Sequence, residues 1–285
     1  MYNRFINRQS RAAVIVAIDS SISMQEWTML HDTRMRKKDA AALITNFIVD
    51  ELIIRSTRIG NIRDYYDIGV VQYSGNGIEP IIADEDEGMI HINALHNARP
   101  QPVCYNITHR EEDGIQNTIP ITLHEWVKPK ACGIAPMYEA LTHIKNLVAM
   151  WCDDRFNKDS FPPIVINITD GCCSDAEEEE LLDMAKEIQS IGTNNGTTLF
   201  FNIQLTDDRS EYCKSTLFPS MNSDIDLDND GRTLYNMSST LPEEMERFIK
   251  EMTGDKCKGP YKGFARNCSI CEILTFTDIG TEGCN

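Results

Sequence analysis

The feature that most constrains the fold is an unbroken apolar run, residues 12–18, followed at once by polar residues. Its short and β-branched side chains are typical of a strand buried on both faces, as in a parallel sheet. The pattern after it, Asp19-x-Ser21-x-Ser23, places one carboxylate and two hydroxyls on a single turn. Such hard oxygen donors suit Mg²⁺, but Asp and Ser are also favoured where a helix starts. From these residues alone, the turn is either a cation site or a helix cap.

A second apolar run, residues 163–168, ends in Thr169, Asp170 and Gly171. Open α/β sheets bind ligands at the carboxyl ends of their strands, so the two acidic turns are expected at one edge. Further strand-like and helix-spaced segments alternate along the chain; the strands are 66–73, 78–82 and 198–205, and the helices are 40–54, 137–151, 175–191 and 241–252. This alternation predicts an α/β fold, with a doubly wound, mostly parallel central sheet flanked by helices.

With these two motifs the chain resembles the von Willebrand factor A (vWA) family. The resemblance implies a metal-ion-dependent adhesion site in which Mg²⁺ or Mn²⁺ is held by Asp19, Ser21, Ser23 and Asp170. Segments further along resemble the bacterial vWA subgroup associated with tellurium resistance; they are residues 217–219, 234–239, 241–245, 265–267 and 276–281. Members of that subgroup often occur with a protein kinase and a PP2C-type phosphatase.

The middle loop of the family departs from its usual pattern here. That loop usually reads Gly-x-Thr-Pro-Met, and this chain has Gly133-Ile134-Ala135-Pro136-Met137. Ala135 therefore replaces the Thr whose hydroxyl would ligate the metal. The resemblance implies a weakened or rearranged site at this position.

We expect a cytosolic protein-interaction module rather than an enzyme. Its metal would keep an open position for an Asp or Glu of a partner protein, in a signalling or stress-response complex with a kinase and a phosphatase. Two alternatives stay open: an adaptor for a MoxR-type AAA+ ATPase, and a structural vWA fold with a degenerate metal site. The sequence has no phosphate loop, nucleophile elbow or dinucleotide fingerprint, and its six histidines are scattered.

Charge and cysteine content narrow the class of partner and the compartment. A formal net charge of −17 argues against nucleic acid or an anionic membrane as the main partner. The N-terminal residues lack the apolar stretch of a secretory signal, and no window reaches the length of a membrane span. We therefore expect a cytoplasmic protein whose ten cysteines are reduced thiols.

The expected organisation is a vWA domain over residues 1–256 and a C-terminal extension over 257–285. Within the domain, residues 97–130 show no sustained period and contain four prolines, so we expect an irregular insertion near the ligand face. In the extension, residues 269–277 are expected to add an edge strand to the same domain.

The sequence does not favour either of two other metal sites. Asp226, Asp228 and Asp230 resemble the start of a calcium loop, but Met237 stands at the twelfth position, where a bidentate Glu is required. Four C-terminal cysteines could in principle bind zinc, but only one Cys-x-x-Cys pair is present; they are Cys257, Cys268, Cys271 and Cys284.

Overall fold

The computed structural model describes residues 2, 5–30, 32–84, 88–110, 116–207, 215–253 and 259–278. Its main sheet contains β1 (Ala12–Asp19), β2 (Tyr66–Ser74), β3 (Gly77–Ile82), β4 (Ile164–Thr169), β5 (Leu199–Gln204) and β6 (Phe264–Arg266). The strands lie in the order β3-β2-β1-β4-β5-β6, and each of these pairings is parallel except β2 with β3. This is the doubly wound order 3-2-1-4-5-6. It confirms the predicted α/β fold with a mostly parallel sheet.

Helices cover both faces of this sheet. They are α1 (Lys37–Ser56), α2 (Ile92–Asn97), α3 (Met137–Asp153), α4 (Glu178–Ser190), α5 (Asn229–Met237), α6 (Glu243–Thr253) and α7 (Ile270–Asp278), with a 3₁₀ turn at Ile22–Gln25. Successive side chains of β1 enter opposite cores, as the period of a strand requires. Val14, Val16 and Ile18 pack in the core that contains α1 residues, and Ala13, Ile15 and Ala17 pack with α3 and α4.

Several short strands pair with the edges of the sheet or form small hairpins in its loops. Ile90–His91 pairs with β2, Thr216–Leu217 pairs with β6, and three small hairpins stand apart: Trp27–Leu30 with Thr33–Arg36, Thr57–Arg58 with Asn61–Ile62, and Gly192–Thr193 with Gly196–Thr197. Among the helices of the described ranges, none is long and apolar enough to cross a bilayer.

The prediction of an irregular insertion at 97–130 is wrong. This segment contains an antiparallel hairpin, Pro102–Arg110 with Gln116–His124, which we call the long hairpin. Its register places Val103 opposite Leu123 and Ile107 opposite Ile119, so apolar residues alternate along both strands. Proline is tolerated at the first residue of a strand and on edge strands, and both strands of an isolated hairpin are edges. The prolines therefore do not prevent pairing.

The predicted edge strand at 269–277 is also wrong, because this segment forms helix α7. The helix starts with reciprocal bonds: the Glu272 backbone N–H donates to the Ser269 hydroxyl at 3.2 Å, and the Ser269 N–H donates to the Glu272 carboxylate at 2.7 Å. This is a capping box, for which Ser-x-x-Glu is the sequence signature. The strand that does join the sheet is β6, immediately before this helix.

Candidate metal centre

The two acidic turns lie side by side at the carboxyl edge of the sheet. Asp19 is the last residue of β1, Asp170 directly follows β4, and the two strands pair through Ile18 and Ile168. After β1 the chain enters α1 on one face, and after β4 it enters α4 on the other. Ligands of doubly wound sheets bind at such a switch point. The expected proximity of the two turns is therefore found.

Asp19 is fully buried, and its carboxylate is held by two donors. The backbone N–H of Ser21 donates to one oxygen at 2.8 Å, and the Thr169 hydroxyl donates to the other at 2.7 Å. Burial, followed by the charge of the neighbouring Asp170, raises the pKa of Asp19 to about 6, although the hydrogen bonds from Ser21 and Thr169 oppose the rise. Within the described ranges, no basic side chain forms an ion pair with Asp19.

The hydroxyls of the first motif face each other, with Ser21 Oγ and Ser23 Oγ 3.0 Å apart. The turn that carries them is tied to its neighbours through the backbone. The Ser20 N–H donates to the Tyr73 carbonyl at 2.8 Å, and the Ile22 N–H donates to the Gly133 carbonyl at 2.9 Å. This fixes the turn against the end of β2 and the middle loop.

The middle loop approaches the site because two glycines touch. A Cβ on Gly133, whose φ is +67°, would lie 2.6 Å from Cα of Gly75. The loop that contains Ala135 is thereby placed beside the first motif, as the family resemblance implied. Ala135 is buried, and its carbonyl accepts the Ser174 N–H at 3.0 Å. Its methyl group offers no oxygen donor, so the Thr contribution of the family pattern is missing here.

Lys37 is the site residue that sequence reasoning missed. It begins α1, its side chain is only 6 % exposed, and its ammonium lies 3.1 Å from Oδ2 of Asp170 and 2.6 Å from Oδ1 of Asp207. Burial lowers the pKa of Lys37, but the two carboxylates outweigh burial and raise it. The sequence signal was weak: a lysine in the first turn of a helix, where the helix dipole disfavours positive charge.

The N-terminus of α5 adds negative charge at the same edge. Gly171 has φ +103°, and a Cβ there would lie 2.6 Å from Cβ of Asp230. Burial raises the pKa of Asp230, and the charges of Asp228 and Asp170 raise it further. The site therefore has a strongly acidic surrounding with Lys37 as its internal counterion.

Two of the three aspartates that resemble a calcium loop, Asp226 and Asp228, form contacts within the protein. Asp228 caps α5, because its Oδ1 accepts the Gly231 N–H at 2.7 Å and the Gln204 side-chain amide at 3.1 Å. The carbonyl of Asp226 accepts a bond from Arg266 at 2.7 Å. In the part of the chain that the structure describes, no three or more His, Cys, Asp or Glu residues gather in a way that could hold a metal.

Of the four C-terminal cysteines that could in principle bind zinc, two lie within the described residues. Cys268 is buried, and its thiol donates to the Thr216 carbonyl at 3.1 Å. Cys271 lies in the first turn of α7. Cys257 and Cys284 lie outside the described residues.

Comparison with known proteins yields structural similarity only. No protein-family model matches the chain, and no curated protein matches it. One similar solved structure is a von Willebrand factor type A protein from Catenulispora acidiphila, with 16% identity and a TM-score of 0.39 over 68% of this chain and 33% of that one. Another is an aerotolerance-related membrane protein from Bacteroides fragilis NCTC 9343 with multiple mutations to serines, with 11% identity and a TM-score of 0.35 over 79% of this chain and 86% of that one.

This chain spans about a third of the first of these structures, 33% of its length. The resemblance to the vWA family accordingly depends on the motif residues and on the doubly wound strand order, which bring Asp19 and Asp170 to one edge.

Proposed function

We propose that this chain is a protein-interaction module whose carboxyl-edge cluster binds Mg²⁺ or Mn²⁺ and, through it, a carboxylate of a partner protein. The observation that carries the proposal is the Asp19 carboxylate, which is fully buried without a basic partner among the described residues. Burying a charge without an opposite charge beside it is costly, so buried charges are normally paired or coordinate metals. A divalent cation would provide that compensation.

The donor set fits a hard cation. Asp19, Asp170, Ser21 and Ser23 offer only carboxylate and hydroxyl oxygens, the ligands that Mg²⁺ and Mn²⁺ prefer. When bound, the cation would supply an electrophilic open position to an incoming carboxylate. The two hydroxyls contribute no negative charge, and Ala135 contributes no donor. The site therefore favours a ligand that brings its own charge and oxygen.

The rim of the cluster suits a protein partner. Ile22 and Ile134 are 60% and 59% exposed, and the backbone bond from Ile22 to Gly133 holds them on adjacent loops. Large exposed apolar side chains beside a polar site are typical of interaction surfaces. The apolar rim would pack against the surface that carries the partner's carboxylate.

Basic groups lie close to this rim on an otherwise acidic chain. The guanidinium carbons of Arg34 and Arg36 lie 4.1 Å and 3.9 Å from the centre of the Trp27 ring. Arg36 immediately precedes Lys37, and its guanidinium donates to the carbonyl of Gln25, the last residue of the 3₁₀ turn that begins at Ile22, at 2.9 Å. Such a stack favours an acidic partner surface, because complementary potentials guide association.

A binding role fits the site better than catalysis does. The carboxylate-paired histidines of the described ranges lie elsewhere: His91 contacts Asp67, at the opposite end of β2, and His124 contacts Asp50 in α1. We infer a cytoplasmic signalling complex with a kinase and a phosphatase as its setting. That inference is supported by the subgroup resemblance of the C-terminal third.

Metal titration tests the proposal. Chelator-treated protein is titrated with MgCl₂ or MnCl₂ at constant ionic strength, with calorimetry and thermal unfolding as readouts. We expect saturable binding that stabilises the fold by about 2.7 kcal/mol at a hundredfold excess over Kd. Asp19→Asn should abolish the effect. Asp183→Asn is the control, because that exposed residue on α4 pairs only locally with Lys186. A wild-type protein without saturable binding would contradict the metal step.

The second step is tested with peptide pairs that differ only by Glu or Gln at one position. Retention on the metal-loaded protein should require the Glu, and it should be lost in chelator and in Asp19→Asn. Equal retention of the Glu and Gln peptides would show that the carboxylate is not what the site recognises.

A further inference from the structure

The position of Lys37 is unfavourable on two grounds. It is the first residue of α1, where the helix dipole repels a cation, and the residue is only 5% exposed, which removes its hydration. Two carboxylates compensate for this: Asp170, whose side chain is 8% exposed, and Asp207, whose side chain is 59% exposed. One partner is therefore buried in the site and the other stands at the surface.

We propose that Lys37 is a built-in cation that competes with the divalent metal for Asp170. This rests on the proposed function, because it concerns the same cluster. The Oδ1 of Asp170 accepts the Cys172 N–H at 3.1 Å, and its Oδ2 is held by Lys37. Both oxygens of this carboxylate are thus engaged without a metal. Binding of a metal to Asp170 therefore requires that the Lys37 ammonium release Oδ2 of this carboxylate.

Asp207 makes that exchange feasible. When Lys37 releases Asp170, it keeps an ion pair at the surface and is not left as a lone buried charge. Breaking a buried pair without a replacement partner is strongly destabilising, so this second carboxylate lowers the cost of the exchange. The apparent affinity for the metal is then the intrinsic affinity multiplied by the fraction of molecules in which Lys37 has released Asp170.

The lysine replaces the metal only in part. Its ammonium contacts Asp170 but forms no ion pair with Asp19, although the two acidic turns are adjacent. A divalent cation carries enough charge for both carboxylates. The fold therefore has a counterion when no metal is present, and the metal must outcompete it.

Isothermal titration of Mn²⁺ into the chelator-treated full chain tests this proposal. Lys37→Met should bind Mn²⁺ about tenfold tighter than wild type or more. Lys38→Met is the matched control, since it removes the same charge from the same turn of α1 and should change Kd less than about threefold. Lys37→Gln, which keeps a polar group at the position, should also bind Mn²⁺ more tightly than wild type. It serves as a second test if the Met variant folds poorly.

A double-mutant cycle tests the role of Asp207. Asp207→Asn should weaken Mn²⁺ binding by about threefold or more in wild type, but much less in the Lys37→Met background. Equal weakening in both backgrounds would mean that Asp207 acts on the metal directly, which would overturn the exchange.

The outcomes separate the two proposals. If wild type binds Mn²⁺ and Lys37→Met binds no tighter than Lys38→Met, competition by Lys37 is refuted and the metal site stands. If no folded variant binds Mn²⁺, both proposals fail. Binding by the Lys37 variants alone would support competition by Lys37 but would overturn the proposed function, because the wild-type protein would then not bind the metal.

Discussion

Buried charged side chains in this protein differ in what compensates each of them. Lys37 has two carboxylates, and Asp19 accepts bonds from Ser21 and Thr169. Lys262, only 8% exposed, has the Ser238 carbonyl and, at 5.5 Å, the face of Tyr235. These are neutral groups, so burial is the dominant influence on its ammonium.

Lys262 is expected to make the stability of the protein depend on pH in the alkaline range. Burial lowers the pKa of Lys262 to about 8, below its usual value in an unfolded chain. Between those two values the unfolded chain binds more protons, so the free energy of unfolding increases as the pH rises. Wild type should gain on the order of 2–3 kcal/mol relative to Lys262→Met between pH 7.5 and 10.5.

Denaturant unfolding of both proteins across this range measures the difference. Titration of the other groups affects both variants alike and cancels in the comparison. Parallel curves for the two proteins would contradict the prediction, since they would mean that Lys262 has the same proton affinity in both states.

At this scale the sequence gives only part of the site. Four candidate ligands could be proposed because the motifs that carry them resemble those of the vWA family and come after recognisable strands; they are Asp19, Ser21, Ser23 and Asp170. Lys37 could not, because its contact with Asp170 joins positions 133 residues apart, and nothing near Lys37 in the chain indicates that contact.

At the scale of the element, the carboxylate of Asp50 attaches the end of the long hairpin to α1. Asp50 accepts the backbone N–H of His124 and the indole N–H of Trp126, both at 2.8 Å. Nearby, the Asn46 side chain exchanges two bonds with the backbone of Val127, at 2.8 Å and 3.1 Å. An isolated two-stranded hairpin is marginal in water, so these contacts with α1 hold it in place.

Asp50→Ala is expected to lower the free energy of unfolding by about 2–3 kcal/mol, because two partly buried donors lose their acceptor. It should also speed amide exchange throughout the long hairpin. Glu51→Gln is the control, as it removes only a partly exposed pair with Arg55 and should cost less than about 1 kcal/mol. Unchanged exchange in Asp50→Ala would mean that the hairpin is held by other contacts.

The errors at this scale have specific causes. Prolines in the long hairpin hid an alternating pattern that edge strands tolerate, and β-favouring residues in α7 hid its Ser269–Glu272 capping box. The capping box was visible in the sequence and could have corrected the second error. The first needed tertiary context, since edge position is decided by which strands pair.

At the scale of the whole molecule, burial makes the thiols of Cys152 and Cys268 less reactive than that of Cys104. Burial raises the pKa of both Cys152 and Cys268 to about 12. Cys104, on the long hairpin, is exposed. The thiolate is the reactive species, so the buried thiols should react only when the fold opens.

Alkylation of the native protein at pH 8, read by peptide mass spectrometry, should modify Cys104 rapidly. Cys152 and Cys268 should react only in denaturant, and their rates should report global unfolding. Chelator should change the labelling of Cys268 no more than that of Cys152, because the Cys268 thiol donates to the Thr216 carbonyl in the structure. An increase in Cys268 labelling alone would contradict this and point to a metal bound at that thiol.

The sequence by itself determined the α/β class and the two acidic turns, because strand and helix periods and the turns that follow them are local properties. Tertiary structure alone decided that Gly75 and Gly133 touch, that Ala135 is brought beside the first motif, and that Lys37 pairs with Asp170. Each of these depends on packing between distant segments, where geometry and burial rather than local pattern set the outcome. The two acidic turns could therefore be predicted from the chain, whereas the lysine that pairs with one of them could not.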